Sequence, residues 1–207
     1  MRDLHTADVP FNLLLAGVGG QGTLLASKII CAALQEAGYD VKLSEVHGMA
    51  QRGGSVVSQI RFGKEIHSPL FGRGEADALL AFERLEGVRH LPALAPGGTV
   101  ILGDQVMLPM PVIMGVQPYP EDALAQLREG SHGRLLVVEA REIAAGLGNP
   151  KAANTVLVGV FAGWLARQGE ARLTLPGWQG AVANQVPLKH REVNEAAFAA
   201  GYRLGAA

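Results

Sequence analysis

An unbroken apolar run over residues 11–16 gives way to glycines, and then to a stretch, 23–37, in which Leu24, Leu25, Ile29, Ile30, Ala33 and Leu34 recur at helical spacing. That order predicts a buried strand, a tight turn and a helix. Gly38 stops the helix and residues 41–46 resume an extended pattern, so the chain opens as a βαβ unit with a right-handed crossover expected. Residues 55–62 alternate as a third strand does. Residues 78–82 are apolar throughout, like a strand buried in a parallel sheet.

Pro96-Gly97-Gly98 introduces a further strand over 99–102, and 135–139 reads as another. The proline-rich stretch between Asp104 and Pro120 predicts an irregular loop or edge strand around 112–116 in place of a helix. Short helical material over 141–147 ends at Gly148-Asn149-Pro150, and 151–168 is the most apolar helix candidate in the chain. Residues 178–186 and 192–203 are also expected to be helical. No repeat or linker divides the pattern. It implies an N-terminal extension over 1–10 and a single three-layer α/β/α domain over 11–207, with a Rossmann-like, mainly parallel sheet.

Composition narrows the function. The 207 residues are 48% hydrophobic and 18% charged, with a formal net charge of −1, so there is core material in abundance and no basic field for nucleic acid. Residues 1–10 lack the apolar core of a signal peptide, and the apolar stretch 155–166 is too short to cross a bilayer, which makes a cytoplasmic location the default and a membrane partner unexpected. The single cysteine, Cys31, excludes a disulfide framework and any cysteine-ligated iron–sulfur cluster built by this chain alone. It falls inside the first predicted helix, where a buried structural thiol is the ordinary case. His67, His90 and His132 are isolated, no pair has metal-ligand spacing, and no metal site is expected. Ser55 and Ser58 have no nucleophile-elbow context. Trp164 and Trp178 are expected in the core or at an interface, and Met107, Met110 and Met114 are expected to border an adaptable contact surface.

Two segments carry chemistry. Gly17-Val18-Gly19-Gly20-Gln21-Gly22 matches G-x-G-x-x-G at a strand-to-helix junction, where backbone N–H groups can meet an anion. Glu45 follows about twenty residues on, where a dinucleotide-binding domain keeps its ribose-binding acid. A glycine turn at such a junction also serves a purely structural purpose, and both readings stay open. The second segment, Glu45-Val46-His47-Gly48-Met49-Ala50-Gln51-Arg52-Gly53-Gly54, gathers a carboxylate, an imidazole, an amide and a guanidinium among glycines at the presumed carboxyl edge of the sheet. Arg52 is suited to two-pronged recognition of a phosphate or carboxylate, and His47 to titration near neutrality.

Together these segments resemble the paired signature of the gamma-type domain of 2-oxoacid:ferredoxin oxidoreductases, in the form of the small beta subunit of the indolepyruvate branch. Ser68-Pro69-Leu70, Gly74-Glu75-Ala76-Asp77, Leu79-Leu80-Ala81-Phe82-Glu83, Pro96-Gly97-Gly98 and Asn154 continue the likeness, which runs from about Asn12 to Gly163. The resemblance implies a large partner subunit carrying thiamine diphosphate, Mg²⁺ and iron–sulfur clusters. It further implies oxidative decarboxylation of an aryl 2-oxoacid, electron transfer to ferredoxin, acyl transfer to coenzyme A, and an isolated chain that is inactive and binds no cofactor of its own. The candidate residues for contact with a cosubstrate phosphate or with the partner are Gly17, Gly19, Gly20, Gln21, Gly22, Glu45, His47, Gly48, Met49, Gln51, Arg52, Gly53, Gly54 and Asn154, and none is assigned a catalytic role. Two rival readings remain at this point: a stand-alone NAD(P)- or nucleotide-binding Rossmann-like protein, and a stand-alone assembly or regulatory module.

Overall fold

The computed structural model describes residues 9–48, 53–170 and 172–207. Six strands form one sheet: β1 (Phe11–Val18), β2 (Asp40–His47), β3 (Ser55–Gly63), β4 (Ala76–Ala81), β5 (Leu94–Gly103) and β6 (Leu135–Val138), in the order β2-β3-β1-β4-β5-β6. β1 is buried along its whole length, as its unbroken apolar run requires. It pairs in parallel with β4, and β4, β5 and β6 continue in parallel. β3 runs against both β1 and β2.

The opening βαβ unit is therefore present in direction but not in adjacency. β1 and β2 point the same way with β3 inserted between them, and Val18 and His47 end on either side of the start of β3, opposite Ser55 and Val56 respectively. Hydrophobic periodicity reports which residues are buried, and it carries no information on which strand is the neighbour.

The helices are α1 (Thr23–Glu36), α2 (Arg84–His90), α3 (Met110–Ile113), α4 (Ala123–Gly130), α5 (Ala140–Gly146), α6 (Ala153–Arg167), α7 (Leu175–Gln185) and α8 (Arg191–Ala206). α1, α6, α7 and α8 cover one face of the sheet around Leu13, Leu15 and Ile101. α2 and α4 cover the other around Leu14, Ala16 and Leu102. Trp178 is fully buried, stacked on Phe198 and edge-on to Phe161. α2 and α4 are two turns each, too short for a periodic signal. α3 stands where an irregular loop or edge strand was expected, and the reason is local. Pro109 is its N-cap and Pro111 lies in its first turn, positions where a missing N–H costs nothing. Among the described residues no helix is long and apolar enough to cross a membrane.

The apolar helix α6 is held against α8 by a seam of glycines. A methyl group at Gly159 would strike the backbone of Phe198 and Tyr202, and one at Gly201 would strike the carbonyl of Val156. Backbone, unlike the end of a flexible side chain, cannot move aside, so the two helices could not keep this separation with alanine at either place. Gly201→Ala is expected to lower the stability of the chain by about 3 kcal/mol. Gly146→Ala, whose added methyl meets open space within α5, should leave stability unchanged or raise it by roughly 0.5–1 kcal/mol. Denaturant midpoints of the two variants provide the test, and equal effects would refute the seam.

Candidate functional site

At the carboxyl edge of the sheet the chain leaves β1 for α1 on one face and β4 for α2 on the other, so a crevice opens between two neighbouring parallel strands. Open α/β sheets place ligands at such a switch point. A cavity of about 310 Å³ lies there, bounded by Gly20 and Gln21 of the first glycine loop, Phe82 after β4, Gln105 after β5, Arg141 of α5, and Lys151 and Asn154 at the start of α6.

The first loop is built around one carboxamide. Gln21 Oε1 accepts from the Val18 amide at 2.8 Å, while Nε2 donates to the Phe82 carbonyl at 2.8 Å and to Gln105 Oε1 at 2.9 Å. One side chain thus ties together the segments that follow β1, β4 and β5. Gly17 must lack a side chain for this, because a Cβ there would lie 2.7 Å from Thr23 Cγ2 and 3.0 Å from Gln21 Oε1. Gly22 serves a different need: its φ of +77° starts α1 from a left-handed conformation, and a Cβ would come within 2.6 Å of Asn154 Nδ2. Asn154 is buried and donates to the Gly22 carbonyl at 3.1 Å, so it acts as a clamp on the loop.

The two sequence motifs meet. The Gly19 amide donates to the Gly54 carbonyl at 2.8 Å and the Gly53 amide donates back to Gly19 at 3.4 Å, extending the β1–β3 pairing into the loops. Ser55 then donates to Glu86 of α2, a buried carboxylate that also pairs with Arg89. The other described residues of the second motif do not line the cavity. His47 and Gly48 are exposed, and the His47 ring lies 3.3 Å from the Gly48 carbonyl. Glu45 accepts from Ser27 of α1 at 2.7 Å. Met49, Gln51 and Arg52 lie outside the described residues.

Arg141, Lys151 and Gln105 carry no sequence motif, and Glu83 enters only as the last residue of a segment that continues the family likeness. Each stands just beyond a strand or at the start of a helix at the carboxyl edge, and that placement is the one signal that marks them. Asp104, which also lines the cavity, is engaged by Arg84, so among the described residues the cavity-lining cations without an ion pair are Arg141 and Lys151. Glu83 is fully buried and accepts from the Glu86 amide, the Met107 amide and the Tyr119 hydroxyl. Burial first, and the bond to Glu83 next, push the Tyr119 hydroxyl above its ordinary range and keep it a donor. By contrast, Ser68, Leu70, Glu75 and Asp77 work at the opposite edge. Arg61 gathers the carbonyls of Ser68 and Leu70 and the Asn12 side chain, and Asn12 bonds Glu75 and Asp77.

The fold and its edge define the class: a domain that presents a polar, partly cationic crevice at its switch point. Within that class the chain belongs to the pyruvate ferredoxin/flavodoxin oxidoreductase family, whose pattern matches residues 12–204. It is 34% identical to indolepyruvate oxidoreductase subunit IorB of Pyrococcus horikoshii, over 93% of this chain and 95% of that one. The corresponding subunit of Methanothermobacter thermautotrophicus is 36% identical, over 95% and 98%. The fold matches the gamma subunit of a keto/oxoacid ferredoxin oxidoreductase from Geobacter sulfurreducens, with a TM-score of 0.67 at 21% identity, covering 94% of this chain and 98% of that one. It also matches part of the 2-oxoglutarate:ferredoxin oxidoreductase of Magnetococcus marinus, solved with 2-oxoglutarate, coenzyme A and succinyl-CoA bound, with a TM-score of 0.66 at 17% identity over 95% of this chain and 31% of that chain.

Two predictions follow from the local chemistry. Gln21→Ala removes all three bonds of the hub and is expected to cost ~2–3 kcal/mol. Gln21→Glu retains the bond to Val18 but sets an acceptor against Phe82 and Gln105, and is expected to destabilise nearly as much; a wild-type melting temperature for either would show the hub to be idle. Burial, with the Glu45 charge second, pushes the Cys31 thiol up to about 12. At pH 8 the native chain should therefore be alkylated by iodoacetamide at least ~100-fold more slowly than the unfolded chain, a ratio that mass spectrometry measures directly.

Proposed function

We propose that this chain is the small subunit of an indolepyruvate-type 2-oxoacid:ferredoxin oxidoreductase in the cytoplasm, and that the crevice at its switch point holds the phosphate end of coenzyme A. The observation that carries the reading is the cavity itself: Arg141 and Lys151, without an ion pair among the described residues, line it together with the carboxamides of Gln21, Gln105 and Asn154. Guanidinium and ammonium groups recognise phosphate, and the carboxamides, bonded within the protein, fix the shape of the rim without adding charge.

The chain's own residues do not fit the redox groups of such an enzyme. Iron–sulfur clusters need several thiolates, and the one cysteine here is held protonated inside α1. No Gly-Asp-Gly diphosphate motif for thiamine occurs in the sequence. Thiamine diphosphate, Mg²⁺ and the clusters are accordingly assigned to a larger partner, which delivers electrons to ferredoxin. Coenzyme A, when bound, supplies the thiol that takes up the acyl group. This chain anchors its charged end, fixes its direction through the Gln21 loop and shields it from water. His47, Gly48, Gly53 and Gly54, with Met49, Gln51 and Arg52 between them in sequence, are assigned to contacts at the same edge.

The nucleotide-binding alternative loses its geometric support. In a dinucleotide-binding domain the acid that holds the ribose ends the strand next to β1. Here β3 occupies that place, and Glu45, one strand further out, is bonded to Ser27. In the reconstituted enzyme, Arg141→Ala combined with Lys151→Ala is expected to raise the KM for coenzyme A ~10-fold or more with little change in kcat, the signature of lost uniform binding. An unchanged KM would remove the cavity from the reading. Tight binding of a nicotinamide nucleotide by the chain alone would overturn it.

A further inference from the structure

We infer that the strap between β5 and α4 is the surface on which the larger, cofactor-bearing subunit docks, and that Glu83 holds the strap in shape for it. The inference rests on the proposed function above and names the face through which that partner is engaged. Residues 105–118 contain no charged side chain. Within them Val106, Leu108, Met110, Ile113, Met114 and Val116 are all exposed, Met114 to 70%. Six side chains of ~100 Å² each offer roughly 600 Å², close to the ~800 Å² that one partner buries in a standard stable interface. Exposed apolar area of this size gathered in one short segment marks a contact surface, and methionine and isoleucine without charges call for an apolar, uncharged groove on the other side.

The strap is not a loose loop. Glu83, 1% exposed, accepts from the Met107 amide near its start and the Tyr119 hydroxyl just beyond its end, while capping α2 with its other oxygen. One buried carboxylate thus fixes both ends of the segment, and α3 stiffens the middle. Such pre-ordering lowers the entropy lost on docking. Position selects the occupant. Met107 belongs to the strap and also lines the cavity, so whatever covers the strap stands beside the proposed coenzyme A site, where the subunit that supplies the acyl group would have to be. A second copy of this chain would bring no thiamine there, whereas the large subunit would.

The test uses the full chain co-expressed with its own organism's thiamine-diphosphate and iron–sulfur subunit. Ile113→Asp and Met114→Asp, both at exposed positions, should leave the circular dichroism and melting of the small chain unchanged and weaken assembly at least 100-fold by sedimentation. Leu188→Asp, 78% exposed on the turn before α8, should assemble as wild type does. Normal assembly of both strap variants would overturn the inference. So would a dimer of the isolated chain that Met114→Asp abolishes while the companion still binds. Failure of the unsubstituted chain to assemble with the companion would remove the proposed function together with the inference, and that outcome is visible before any substitution is made.

Discussion

Where parallel strands end, their last amides and carbonyls lose the neighbours that completed them, and a buried group left in that state costs about 1–3 kcal/mol. At the carboxyl edge of this sheet the deficit falls on Val18 at the end of β1 and Phe82 just after β4. The Gln21 carboxamide meets both, and reaches Gln105 beyond β5 as well. An amide is the one small side-chain group with a donor and an acceptor side by side, so neither glutamate nor leucine of similar size could do this. The other constraints build on that bond. Gly17 is bare because Gln21 folds back over it, Gly22 turns the chain into α1, and Asn154 pins the turn from α6.

Asn154 can reach Gly22 only because α6 lies where it does, and α6 is placed by its glycine seam with α8. The chain therefore couples its most apolar packing to its most polar loop. The seam sets how closely α6 lies against α8, the first turn of α6 delivers Asn154 to the loop, and the short turn just before it, Pro150–Ala152, brings Lys151 to the cavity. The C-terminal helices, which carry no motif, are thus part of the machinery that shapes the crevice.

Much of this was legible in the amino-acid order, and the limits are physical. Runs of buried residues located β1, β4 and α6, because burial leaves a periodic trace. The glycine loop was recognisable because left-handed φ at Gly20 and Gly22 tolerates little else. The insertion of β3 between β1 and β2 was not legible, since register and order depend on contacts distant in sequence. That one feature separates this crevice from a dinucleotide site, for it takes Glu45 away from the loop. The G-x-G-x-x-G match leaves position 21 unspecified, and Gln21 is the residue the loop is built around. The cavity's Arg141 and Lys151 were invisible because a cation just past a strand end looks like any solvated charge until the fold shows what faces it. The family likeness took in Ser68, Pro69 and Leu70 on equal terms with the glycine loops, yet they serve opposite edges. β1 is eight residues long, which at ~3.4 Å each separates the two edges by roughly 25 Å.

The opposite edge shows what a purely structural cluster looks like in this chain. Arg61 there is consumed: its Nε meets Asn12, its Nη1 meets two carbonyls, and Asn12 passes the network on to Glu75 and Asp77. At the carboxyl edge the polar groups divide into two kinds. Gln21, Asn154, Glu83, Glu86 and Arg84 are spent on the protein itself, while Arg141 and Lys151 line the cavity and make no ion pair among the described residues. Two cations that line one cavity without serving the protein's own hydrogen bonds among the described residues are suited to an anion from outside, and the spent groups around them hold the shape of the place for it.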